Sequence, residues 1–62
     1  MKSKSTTLCP HPGDVAWHRQ DAIKQAAPYG LQGEVEDAFD NYIASGEDPC
    51  QAEWAALYDW GI

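Results

Sequence analysis

Hydrophobic positions recur with helical period along residues 31–46, LQGEVEDAFDNYIASG. Val35, Ala38, Phe39, Tyr42 and Ile43 stand at i, i+3, i+4, i+7 and i+8, a spacing that gathers them into one stripe along a helix. Glu34, Glu36, Asp37, Asp40 and Asn41 fill the remaining faces. The early acids suit the positive end of the helix dipole, and Gly46 follows the last apolar position as a stop. A helix over about 32–45 is predicted.

The flanking segments carry weaker versions of the same pattern. In DVAWHRQDAIKQAAPYG, the positions Val15/Ala16, Ala22/Ile23 and Ala26/Ala27 share one side at helical spacing. Asp14 offers an N-cap. Pro28 disfavours helical backbone at the residue before it, Gly30 can take a left-handed conformation, and Leu31 is placed to cover the helix end. A helix over about 14–28 follows. The third segment opens on Asp48-Pro49, a cap followed by a residue suited to the first helical position, with Gln51 where a capping box would have it. Cys50, Trp54, Leu57 and Tyr58 then share one face, with Ala52, Ala55 and Ala56 beside it. That face places Trp54 and Leu57 in the core and leaves Trp60, next to Gly61, partly exposed. A helix over about 49–60 is predicted. Connections of a few residues make neighbouring antiparallel helices the natural packing. The fold class is therefore all-α: a small three-helix domain over residues 13–62. Residues 1–12, rich in Ser, Thr and Pro and without periodicity, read as a flexible leader.

Length sharpens this picture. A chain of 62 residues is at most one domain and buries only about 60% of its unfolded surface, so its core is marginal and self-association as a dimer is a natural supplement. The hydrophobic share of 44% and the three Trp, three Tyr and one Phe are those of a folded protein. No stretch nears the roughly 18 apolar residues of a membrane span. The basic start MKSKS is followed by two prolines where a signal peptide needs an apolar run. A soluble, cytoplasmic protein with two cysteines kept as thiols is the expectation.

Charge is unevenly placed. All four basic residues, Lys2, Lys4, Arg19 and Lys24, precede position 25. Residues 31–62 hold Glu34, Glu36, Asp37, Asp40, Glu47, Asp48, Glu53 and Asp59 with no Lys or Arg, and the whole chain carries a net charge of −6. Phosphate binding rests on clustered Lys and Arg. Direct nucleic-acid binding is therefore not expected, and a helix-turn-helix reader here would have an acidic recognition helix. A basic protein surface is the natural complement.

The order of signatures over residues 14–62 is distinctive: DAIK (21–24), YGL (29–31), an acidic amphipathic helix, SGEDP (45–49), then AEWAALYDWGI (52–62). It resembles a class of short proteins encoded by tailed bacteriophages and prophages, which often end in an acidic residue, Trp, then Asp-Ile or Asp-Leu. Here Asp59-Trp60-Gly61-Ile62 matches, with Gly61 in place of the acid. The resemblance covers about four-fifths of the chain; the leader and Pro28 lie outside it. It implies an accessory protein of phage or prophage origin, all-helical, in the cytoplasm of a bacterial host, and it brings no catalytic residues with it.

Candidate chemistry is sparse. Cys9, His11, His18 and Cys50 are the Cys/His inventory, at gaps of 2, 7 and 32 residues. Zinc favours four such ligands, but usually in close pairs, and Cys50 on an apolar helix face also reads as a small hydrophobe. A zinc-stabilised domain is thus an alternative, and no cofactor is assigned. No phosphate loop or nucleophile elbow is present, and so small a helical domain has little room for a catalytic pocket, so a non-enzymatic role is expected. Two modes of protein interaction stand out. Trp54, Tyr58 and Trp60 can anchor a partner, since Trp and Tyr are favoured at interfaces. Alternatively, the acidic row Glu34, Glu36, Asp37 and Asp40, with Glu47 and Asp48, can imitate nucleic-acid phosphates and occupy a basic DNA-binding host protein.

Overall fold

A computed structural model of the protein describes residues 11–62. Three helices follow one another: α1 (Val15–Ala26), α2 (Gln32–Ala44) and α3 (Pro49–Asp59), with a single 3₁₀ turn, Ala27–Tyr29, after α1. Among the described residues there is no strand, and each helix packs against both others. None is long and apolar enough to cross a membrane.

Local chemistry sets the boundaries. The Asp14 carboxylate accepts from Trp17 N–H at 2.9 Å and Asp48 from Cys50 N–H at 3.0 Å, each satisfying a backbone donor that a first helical turn leaves unpaired. The α-helix expected to reach residue 28 stops at Ala26. Pro28 has no N–H to give the helix ladder, so the chain tightens into the 3₁₀ turn. Gly30 then takes φ 71°, and Leu31 N–H reaches back to Ala26 O at 3.2 Å, which closes the end as a Schellman motif. The C-terminus repeats it: Gly61 lies at φ 73° and Ile62 N–H bonds Leu57 O at 3.0 Å. Leu31 and Ile62, the residues after these glycines, pack on the core.

That core is narrow. Ala22 and Ala26 of α1, Val35 and Phe39 of α2, and Ala52, Ala56 and Leu57 of α3 are buried, flanked by Leu31, Ala38, Tyr42, Ile43 and Ile62. The stripe expected on α2 is the one observed. Two other expectations are corrected. On α1 the inward line is His18, Ala22 and Ala26, whereas Val15 and Ala16 are exposed. On α3 the inward face is Ala52, Glu53, Ala56 and Leu57, while Trp54 stands outside. The second has a steric cause: alanines at the crossing let helix backbones approach closely, and an interface built that way has no volume for an indole. The tryptophan is therefore displaced to the rim and Leu57 alone fills the gap.

Two polar ties lock α2 to its neighbours. Arg19 Nε lies 3.0 Å from Asp40 Oδ1 and its Nη2 3.2 Å from Asp40 Oδ2, while the same guanidinium pairs with Glu36. Tyr42 donates its hydroxyl to Asp59 at 2.6 Å.

Candidate functional site

The α1–α3 seam holds a buried polar pair. His18 is 1% exposed and Glu53 7%, and His18 Nδ1 lies 2.6 Å from Glu53 Oε1. The other ring nitrogen, Nε2, lies 3.2 Å from the backbone oxygen of His11. A carbonyl only accepts, so Nε2 carries a hydrogen. Nδ1 then either accepts from a protonated Glu53 or donates to its carboxylate. In both cases one proton sits between the two side chains. Gln25 Nε2 donates to Asp21 Oδ2 at 2.7 Å and to Glu53 Oε2 at 3.2 Å. Among the described residues no buried side-chain polar atom lacks a partner, as a polar group shut away from water requires.

The two acids of this cluster are driven apart electrostatically. Burial, reinforced by hydrogen bonding to Asp21, pushes Glu53 up to about 7. Hydrogen bonding to Glu53 holds Asp21 below the usual carboxylate range. Adjacent carboxyls in one low-dielectric site divide in this way, one retaining the proton and the other ionised.

Above the cluster lies an open groove of about 550 Å³. The exposed rings of Trp54 and Tyr58 line it with Trp17, the buried His18 and Glu53, Asp21, Gln25, the disulfide-bonded Cys50, Leu57 and Ile62. Trp54 is 71% exposed and Tyr58 78%; Trp60, outside the groove lining, is 45% exposed. They stand outward because α3 presents its alanine face to the core, and residues 54 and 58 lie one turn apart on the outer edge.

The residues singled out in the sequence separate into three places. Trp54 and Tyr58 come together at the groove, with Trp60 beyond it. Glu36 and Asp40 are both engaged by Arg19 across α1 and α2, and Asp37 is exposed nearby without sharing that tie. Among the described residues no group of His, Cys, Asp and Glu is gathered as a metal centre: His18 is bonded to Glu53 and His11, and Cys50 is disulfide-bonded, contrary to the thiol expected of it. Cys9 lies outside the described residues. His11, assigned to the leader, sits against α1, its ring 4.4 Å from that of Trp17 and tilted by 31°.

Asp21, Gln25, Glu53 and Trp17 were missed in the sequence. Glu53 sits between alanines in the inward stripe, and His18 heads the 18/22/26 line, so a His and an acid each occupy an apolar row. The signal is present, but it becomes readable only once the inward face of each helix is known. No protein-family model, curated protein or solved structure matches the chain.

Proposed function

We propose that this chain is a non-enzymatic accessory protein of phage or prophage type that acts by binding a host protein through the aromatic face of α3. The observation carrying this reading is the outward placement of Trp54, Tyr58 and Trp60 on so small a domain. Large aromatics left in water are costly unless covered, and Trp and Tyr anchor interfaces more than other residues do. The phage-type sequence order supplies the biological setting, and the net charge of −6 favours a basic partner.

The acidic-mimic alternative has less behind it, since Arg19 pairs with Glu36 and Asp40 at the centre of the row it would use. Self-association through the same aromatic face is an outcome of the test. The bacterial cytoplasm follows from the resemblance, whereas a disulfide at Cys50 favours an oxidising compartment; alkylation trapping of the protein in cells decides between them.

The test is affinity capture from a bacterial lysate with wild type and with Trp60→Ala, alongside circular dichroism. A partner held by wild type and lost by the variant, with helicity unchanged, supports the proposal. A partner lost instead with Asp37→Lys, and steeply sensitive to salt, supports the acidic mimic.

A further inference from the structure

The groove between α1 and α3 has a composition that selects for a particular chemistry. It is lined by three aromatic rings, Trp17, Trp54 and Tyr58, and by Asp21 and Glu53. No Lys or Arg among the described residues lines it; Lys24 lines a neighbouring hollow of about 400 Å³, from which its charge also reaches Asp21. Aromatic faces carry negative quadrupole density that attracts cations, and they do so most strongly where water is partly excluded. Carboxyls beneath such rings supply the countercharge.

We propose that this groove receives a single Lys or Arg side chain from a basic segment of a protein partner, held between the indoles of Trp17 and Trp54 above the Asp21 carboxylate. The inference rests on the binding-module reading and names what the module recognises. Asp21 remains ionised because its hydrogen bond with Glu53 favours the charged form. His18 Nδ1 faces Glu53 Oε1 at 2.6 Å rather than Asp21, whose carboxylate accepts from Gln25. The groove volume accommodates a guanidinium and its stem. The Tyr58 ring, one turn beyond Trp54, bounds the site towards the C-terminus.

The test is a titration of the full chain with the blocked tripeptide acetyl-Gly-Arg-Gly-amide and its uncharged citrulline counterpart, followed by NMR of the three indole N–H signals. Shifts of Trp17 and Trp54, with Trp60 unmoved, are expected for the arginine peptide and not for citrulline. Asp21→Asn weakens the effect about tenfold. Trp54→Ala, a substitution at an exposed position that leaves the core untouched, does the same, while Asp37→Asn changes it less than twofold. Equal shifts with citrulline, or equal weakening by Asp37→Asn, overturn the proposal. So does a concentration-dependent Trp54 signal in the absence of peptide, which would seat a second copy in the groove. Failure here with a host partner still lost on Trp60→Ala would remove the cation site and leave the binding-module reading standing.

Discussion

Glu53 is the residue through which the interior responds to pH. Its folded-state pKa of about 7 lies above the ordinary value of 4.5, so between those values the folded Glu53 carboxyl holds a proton that the unfolded one releases. The Glu53 contribution to stability therefore falls as pH rises from about 4.5 to about 7, set against the proton that His18 takes up in the unfolded chain. Asp21, lowered from 3.8, acts in a separate window: its contribution is present above 3.8 and is lost as pH falls through its folded value. Urea unfolding at a series of pH values is expected to show the first slope, and Glu53→Gln to flatten it, because the amide keeps the shape but does not titrate. Glu53→Leu leaves His18 Nδ1 buried without its partner and is expected to cost about 3 kcal/mol. That is a large part of the stability of a 62-residue domain. His18 was placed correctly on α1 from sequence, but its partner was not, because Glu53 is 35 positions away and nothing local links them.

Helix by helix, legibility tracks the strength of the apolar stripe. α2 was readable because its large residues alone define a face. The capping acids Asp14 and Asp48 and the terminators Gly30 and Gly61 were readable for a similar reason: their roles are decided within one turn. α3 was only partly readable: Leu57 was expected in the core and lies there, but Trp54 was expected there too, whereas close helix approach selects the alanines and leaves Trp54 outside. The contrast is measurable by thermal unfolding. Leu57→Ala is expected to lose about 2–4 kcal/mol, whereas Trp54→Ala changes stability by less than about 0.5 kcal/mol, as exposed substitutions do. Similar losses from both would mean that α3 is rotated from the orientation described. Ala52→Leu, which forces volume into the crossing, is expected to destabilise by about 1–3 kcal/mol. At the α1 terminus, Gly30→Ala must hold a side chain at φ 71° and is expected to cost about 1 kcal/mol.

For the molecule as a whole, the acidic surplus and the aromatic rim point the same way but act differently. In the proposed binding role, charge would set how a basic partner approaches and how salt slows it, and the aromatic rim how long it stays. Arg19, drawn between Glu36 and Asp40, turns part of the acidic row into a clasp between α1 and α2. Arg19→Gln is expected to weaken that clasp slightly, with the difference from wild type shrinking as salt is added. The acidity of residues 31–62 was plain in the sequence; that α1 spends its arginine on it was not, because the pairing spans 21 positions. The most direct measurement of whether this is a binding module is quantitative capture from bacterial lysate with wild type and a Trp54→Ser, Tyr58→Ser, Trp60→Ser variant of matched helicity. A discrete partner enriched by wild type and absent from the variant is predicted; the same proteins retained equally by both would contradict the aromatic face as the binding surface.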